Sequence, residues 1–431
     1  MKRIALISEH ASPLAMLGGV DSGGQNVYVG QLARCLAARG HRVDVFTRRD
    51  REDLPDIVPW CDGARVVHVP AGPPAWVRKE DFLPFMGEFT EFVLGRCRRR
   101  AYDLIHANFF LSALVAADVK RATGLPFVVT FHALGRVRRL HQGGADTFPE
   151  ERLAIEDRVV READRIIAEC PQDGDDLCGL YGADPARLRT IPCGFDPEEF
   201  GPIPKAEARR FVGVEGDGPI LLQLGRMVPR KGVDNVIRGL ARLRRDHGIP
   251  ARLLVVGGES ERPDPVVTPE LGRLLGVAAE EGVAEHVTFV GSRGRDVLKY
   301  YYNAADAFIT TPWYEPFGIT PLEAMACGTP VVGAAVGGIK ATVRDGQTGF
   351  LVPPRDPDAL AARLADLLRD PSRLRLFGRR ALHEARARYT WEAVAASVAG
   401  LYEEVLSPAA VEASAAALSA SLASPLRADV V

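Results

Sequence analysis

Glu315 and Glu323 lie eight positions apart in Glu-Pro-Phe-Gly-Ile-Thr-Pro-Leu-Glu, flanking a glycine turn and the start of a helix. Thr320 suits an N-cap, Pro321 the first helical position, and Glu323 the third residue after the cap. The helix is expected to run through Leu322, Ala324, Met325 and Ala326 until Gly328 ends it. The free amides of Phe317, Gly318 and Ile319 would then gather at a positive helix end, with a carboxylate on each side. Such a place binds phosphates through its amides and sugar hydroxyls through its carboxylates. A capping box alone also accounts for Glu323, and this segment does not decide between the two readings.

Other segments carry compatible chemistry. Gly225-Arg226-Met227-Val228-Pro229-Arg230-Lys231-Gly232 follows an apolar run, placing Arg226 at a strand end and Lys231 near the next helix. Two cations at a strand's carboxyl end suit a diphosphate whose charge builds as it departs. His132 follows Phe127–Phe131 and occupies a similar edge, where a neutral imidazole hydrogen-bonds a sugar or acts as a base. His106 and His10 hold weaker versions of that position. Gly18-Gly19-Val20-Asp21-Ser22-Gly23-Gly24-Gln25-Asn26 is neither a dinucleotide fingerprint nor a Walker loop. Ser22 and Gln25 have capping-box spacing, and Gly23-Gly24 would let a ligand approach the backbone. Arg78-Lys79 and the stretch around Arg152 could bind an anionic acceptor, although exposed helix charges are the default explanation for both. Arg96–Arg100 reads as a solvated helix end in preference to a membrane patch.

These residues need a scaffold, and the chain is long enough for more than one. At 431 residues it exceeds one ordinary core. With 47% hydrophobic and 26% charged residues it reads as a soluble globular protein. A formal net charge of −2 gives no global case for nucleic acid. The seven cysteines (Cys35, Cys61, Cys97, Cys170, Cys178, Cys193, Cys327) form no CxxC pair, so neither a zinc site nor a disulfide framework is indicated. Ile4–Ile7 after Met1-Lys2-Arg3 is too short for a signal peptide and reads as a first strand; with no stretch near the roughly 20 apolar residues of a membrane span, a cytoplasmic protein is expected.

Strands are predicted at Ile4–Ile7, Arg42–Thr47, Val66–Val69, Leu104–Ala107, Phe127–Phe131 and Arg165–Ala168, alternating with helices such as Gly24–Arg39. After a Pro- and Gly-bearing stretch the alternation restarts at Ile220–Leu224, Arg252–Val256, Val287–Val290, Ala307–Thr310 and Pro330–Gly333. The pattern predicts an α/β protein of two doubly wound domains facing across a cleft, residues 1–193 and 218–388, with a linker over 194–217. A helix within 389–406 is expected to cross back to the first domain, and 407–431, rich in Ala and Ser, to be a mobile tail.

The motifs Gly-Gly-Val-Asp-Ser-Gly-Gly-Gln, Thr130-Phe131-His132-Ala133-Leu134-Gly135, Gly225-Arg226 with Lys231-Gly232, and Glu315 with Glu323 stand in the order found in the retaining glycosyltransferase family 4, which this chain resembles over about residues 1–405. The first domain looks most like sucrose-phosphate synthases and the glycosyltransferase that begins mycothiol biosynthesis. The resemblance implies the GT-B fold and transfer of a hexosyl group from a nucleoside-diphosphate sugar, UDP- or GDP-linked, to a hydroxyl of a small sugar, sugar phosphate or glycoside. It implies that Arg226 and Lys231 bind the donor diphosphate and that Glu323 accepts from the ribose. Glu315 would hold the transferred sugar, and Phe317, Gly318 and Ile319 would lie against sugar and phosphate. Gly23 and Gly24 would touch the diphosphate, Arg293 would mark the base site, and His132 would meet the sugar near the reacting carbon. Gln25, Asn26, Lys79 and Arg152 make up the acceptor side. Ala133 stands where the mycothiol-type enzymes have a threonine that helps hold an acceptor phosphate, so a hexose phosphate fits at least as well as inositol phosphate.

No metal and no cofactor beyond the donor is expected, because cations and amides can stabilise the leaving group and no Asp-x-Asp motif occurs. A nucleotide-sugar epimerase, a phosphorylase-like enzyme and a non-catalytic nucleotide-sugar sensor are the rival readings on this scaffold. A sensor would be expected to lack Arg226, Lys231 or Glu315. Relatives of this fold often work at membrane surfaces, but no strongly amphipathic basic helix argues for it here. The sequence does not set an oligomeric state.

Overall fold

A computed structural model describes residues 1–15, 23–214, 216 and 218–423. The first half contains β1 (Arg3–Ile7), α1 (Gly24–Ala38), β2 (Arg42–Arg48), β3 (Ile57–Cys61), β4 (Ala64–Val69), α2 (Met86–Arg99), β5 (Leu104–Asn108) and α3 (Phe110–Thr123). It continues with β6 (Phe127–Thr130), α4 (Gly135–Gln142), α5 (Glu151–Glu162), β7 (Arg165–Ala168), α6 (Pro171–Tyr181) and β8 (Leu188–Thr190). These strands form one sheet in the order β3-β4-β2-β1-β5-β6-β7-β8.

The second half contains α7 (Lys205–Phe211), β9 (Ile220–Leu224), α8 (Val233–Arg245), β10 (Arg252–Val256), α9 (Pro269–Glu280), β11 (Val287–Gly291), α10 (Arg295–Ala304) and β12 (Ala307–Thr310). Then come α11 (Ile319–Ala326), β13 (Val331–Ala334), α12 (Gly337–Thr342), β14 (Gly349–Val352), α13 (Pro357–Leu368), α14 (Pro371–Arg388), α15 (Trp391–Val405) and α16 (Pro408–Ala423). Its sheet runs β11-β10-β9-β12-β13-β14.

Both sheets are covered on both faces, which is why their strands read as continuous apolar runs. In β1, Ile4 and Leu6 enter one core while Ala5 and Ile7 enter another, following the alternation of side chains along a strand. Strand pairing is parallel except at β3, which lies antiparallel to β4 at the sheet edge. Neither β3 nor β8 is among the predicted strands: β3 is a half-buried edge strand containing Pro59, and β8 has three residues. β14 is likewise absent from the prediction.

The chain passes between the halves twice, side by side. Phe195 N donates to Tyr389 O (2.8 Å) and Trp391 N donates to Phe195 O (3.2 Å). Gly194 permits this approach, since a Cβ there would lie 2.9 Å from the Trp391 backbone nitrogen. α15 then packs against α1, with the Trp391 ring edge-on to Tyr28 at 5.7 Å and Tyr402 OH 2.7 Å from His106 Nδ1. His106 also meets Thr130 Oγ1 at 2.9 Å, and burial, with His132 nearby, lowers its pKa to about 3. It is therefore a neutral packing residue of the crossover, which corrects the edge-site reading of His106.

Beyond α15 a helix, not an irregular tail, occupies Pro408–Ala423. Alanine has the highest helix propensity, Pro408 suits the first turn, and Ser407 Oγ accepts from Ala410 N (3.4 Å). The remainder of the expected tail, 424–431, lies outside the described residues, as do Gly18, Gly19, Val20, Asp21 and Ser22 of the glycine loop. Among the described residues no helix is long and apolar enough to cross a membrane.

Trp391 is 1% exposed at the junction of both crossings. Trp391→Ala is expected to destabilise the protein by about 3–5 kcal/mol in denaturant titration.

Candidate active site

The carboxyl edges of the two sheets face each other across a cavity of about 340 Å³. Its walls meet closely. A Cβ built on Gly24 would lie 3.5 Å from Ile319 Cδ1, and one on Gly23 3.9 Å from Arg226 Nε. Gly23, not Ser22, precedes α1, and its N–H donates to Asn26 Oδ1 (2.9 Å). Asn26 also donates to Ser12 O (2.9 Å) while lining the cavity. Gln25 Nε2 reaches Ser8 Oγ (3.2 Å) and Asn108 O (3.3 Å) while lining the cavity.

On the opposite wall Lys231 Nζ and the Glu315 carboxylate form an ion pair, with side chains only 18% and 13% exposed. Burial lowers the Lys231 pKa to about 8, with Arg230 and Arg226 pushing the same way and Glu315 opposing. Burial pushes Glu315 up, but Lys231, Arg230 and Arg226 outweigh it and hold the carboxyl below its ordinary range. Arg226 lines the same wall. Three cations, Lys231, Arg230 and Arg226, thus act on one ionised carboxylate in this wall.

α11 starts earlier than predicted. Gly318, at φ 93°, is its N-cap, and Thr320 and Pro321 lie inside the first turn. The capping box expected for Glu323 is therefore absent. Glu323 instead accepts from Arg295 Nη1 (2.7 Å) and Tyr302 OH (2.8 Å), 2% exposed in the cavity wall. Each oxygen keeps a further lone pair for a ligand hydroxyl. Phe317, Gly318 and Ile319 line the cavity at the helix N-terminus. Arg293 also lines it, with its guanidinium turned onto Glu261 O (2.8 Å) and Ser292 O (2.7 Å).

His132 has φ 57°, a strained value for a side-chain-bearing residue. Asn108 Nδ2 donates to Ile7 O (3.2 Å), which turns Asn108 Oδ1 toward His132 Nε2 at 3.0 Å. His132 Nδ1 lies 3.0 Å from Glu169 Oε1, which also accepts from Cys193 Sγ (3.0 Å). Both ring nitrogens are hydrogen-bonded within the first domain, so of the two expected roles, sugar contact or base, neither nitrogen is free for the second, and His132 stands as a fixed ring in the cavity wall. Asn108 and Glu169 follow directly after predicted strand residues Ala107 and Ala168, and the rule that singled out His132 also points to them.

The far end of the cavity is lined by His10, Lys79, Phe109, Ala133, Arg138 and Phe148. Arg152 is not there. It is 1% exposed behind the wall, donating to Glu156 Oε1 (2.7 Å) and Ala133 O (2.6 Å), with its guanidinium 4.5 Å from the Phe148 ring centroid. Glu156, one helical turn on, draws it inward, so Arg152 braces the wall in place of the acceptor contact expected of it. Arg138, absent from the sequence-based candidates, faces the cavity above Phe148 and is paired with Asp146 at 3.0 Å. Among the described residues no group of three His, Cys, Asp or Glu could hold a metal ion.

Residues 22–199 match the family described as Glycosyltransferase Family 4, and residues 204–384 that described as Glycosyl transferases group 1. The D-inositol 3-phosphate glycosyltransferase of Actinosynnema mirum is 40% identical over 413 residues, covering 93% of this chain and 97% of that protein. The sucrose-phosphate synthase structure from Thermosynechococcus elongatus superposes with a TM-score of 0.86 at 34% identity, over 94% of this chain and 99% of that one. Anabaena HepE in complex with UDP and glucose shares the fold, with a TM-score of 0.71 at 20% identity over 94% and 100% of the two chains.

Nucleoside-diphosphate binding is expected to weaken as pH rises through about 8, where Lys231 loses its charge. Calorimetric titration with UDP and GDP on either side of that pH checks this, and Lys231→Arg, whose cation does not titrate, should flatten the profile. The same shift acts oppositely on folding: the unfolded lysine titrates near about 10.4, so this group's contribution to stability rises with pH between the two values.

Proposed function

This chain belongs to the family 4 glycosyltransferases and has their two-domain GT-B fold, and from that premise we propose that it moves a hexosyl group, with retention, from a nucleoside-diphosphate sugar to a hydroxyl of a small polar acceptor. The observation that carries this reading is the partly buried Lys231–Glu315 pair, flanked by Arg226 and the α11 N-terminus and faced by Gly23-Gly24 across the cavity.

In the reaction the bond from the sugar's C1 to the diphosphate oxygen breaks, a C1–O bond to the acceptor forms, and the proton of the acceptor hydroxyl passes to the departing diphosphate and from there to water. Arg226, Lys231 and the amides of Phe317–Ile319 take up the negative charge that grows on the diphosphate. Glu315 holds hydroxyls of the transferred hexose, and Lys231 keeps its carboxylate ionised. Glu323, fixed by Arg295 and Tyr302, receives the ribose hydroxyls, and the backbone at Arg293 meets the base. His132, held on both nitrogens, supports the sugar side as a rigid wall.

We assign the donor to the domain of residues 218–388 and the acceptor to that of 1–193, joined through 194–217. Lys79 and Gln25 face the acceptor. Sugar phosphates are the class that the names of the relatives point to, inositol phosphate in one case and a sucrose-phosphate product in the other.

The test is release of nucleoside diphosphate from UDP-glucose, UDP-N-acetylglucosamine and GDP-mannose, with and without D-inositol 3-phosphate, glucose 6-phosphate or fructose 6-phosphate. Acceptor-dependent release is expected. Binding without release under every pairing would favour a sensor. Arg226→Ala should lower turnover about 100-fold with an unchanged melting temperature, and an unfolded variant would not support the diphosphate assignment.

A further inference from the structure

Helix α4 links the acceptor end of the cavity to the donor wall. Near its middle, Arg138 faces the acceptor end above Phe148, tied to Asp146. Its last turn meets the other domain. Gln142 Nε2 donates to the Tyr314 hydroxyl, and the His141 ring stacks on Tyr314 at 5.0 Å between centroids, with 20° between planes. Tyr314 is 7% exposed, and the Arg230 guanidinium lies 5.2 Å from its ring centroid.

Tyr314 directly precedes Glu315, and the backbone there has little freedom. Glu315 O accepts from Gly338 N (3.2 Å), and a Cβ on Gly337 would come within 1.8 Å of that same oxygen. A shift of Tyr314 must therefore pass to Glu315 and, through the ion pair, to Lys231. The contact joins a helix that faces the acceptor to the two side chains that face the donor's reacting end.

We propose that Gln142, His141 and Tyr314 are positioning residues: the clasp of α4 on Tyr314 sets the distance between acceptor and donor and holds Glu315 in place for transfer. This rests on the transferase reading above. The Gln142–Tyr314 bond supplies direction, and the His141 stack supplies contact area. Burial lowers the His141 pKa, with Arg355 acting the same way and Asp176 opposing, which favours a neutral ring against Tyr314. Misplacing reacting groups by about 1 Å is enough to slow a reaction about 100-fold.

The experiment compares Gln142→Ala, Tyr314→Phe and the double variant in the full chain, with UDP-glucose as donor and D-inositol 3-phosphate and glucose 6-phosphate as acceptors. Tyr314→Phe keeps the ring stack and removes only the hydroxyl. Each single variant should lower kcat for transfer by about tenfold, weaken UDP binding by far less than that, and raise the ratio of UDP-glucose hydrolysis to transfer. The double variant should be no worse than either single, since both remove one bond. Additive losses, unchanged transfer, or a fall in UDP affinity matching the fall in transfer would each overturn the proposal. If the unaltered chain turns over no UDP-glucose, the donor reading fails for that sugar, and small-angle scattering of the unliganded proteins decides the clasp. A larger radius of gyration in both single variants then supports it, and an unchanged one refutes it.

Discussion

The Lys231–Glu315 pair constrains the whole cleft. Taking a lysine and a glutamate out of water together costs several kcal/mol unless their geometry compensates, and removing one partner leaves the other as a buried uncompensated charge. The loops that carry them approach only because glycines stand at the crossings. A Cβ on Gly232 would lie 2.1 Å from Thr311 O, and Gly337 passes just as tightly against Glu315 O. Around the pair, Arg230 and Arg226 act with Lys231 to hold the Glu315 carboxylate ionised against its burial.

The opposite wall is built for rigidity. His132 is strained in its backbone and fixed through Asn108 and Glu169, with the Tyr28 ring edge-on at 4.7 Å. Tyr28 in turn touches Trp391, where the returning chain is hydrogen-bonded to the linker. One apolar core includes Tyr28, Phe195, Phe200, Trp391 and Phe317, so packing runs continuously from the first domain to the start of α11. The relative placement of the walls therefore depends on buried contacts as well as on the covalent linker.

Much of this was legible along the chain. The alternation of apolar runs with helical stretches follows from strand and helix periodicity, and it located most strands of both sheets. The motif segments fall at strand ends, which is where doubly wound sheets bind ligands. What escaped was either short, like β8, or at an edge, like β3, where half-burial weakens the alternating signal. Ala and Ser content is compatible with both a mobile tail and a helix, and the described part of the tail holds the helix Pro408–Ala423.

By itself, then, the sequence determined the two-sheet architecture and the side chains Arg226, Lys231, Glu315 and Glu323 as candidates, because these depend on local periodicity and on order along the chain. Tertiary structure decided what each side chain touches. It gave Glu323 to Arg295 and Tyr302 instead of a cap, committed both nitrogens of His132, drew Arg152 behind the cavity wall and brought Arg138 forward. Those outcomes turn on partners 8 to 37 residues away or on a competing carboxylate one helical turn on. Hydrogen bonds and ion pairs are satisfied in space, and spacing along the chain does not reveal which of several competing partners will be nearest.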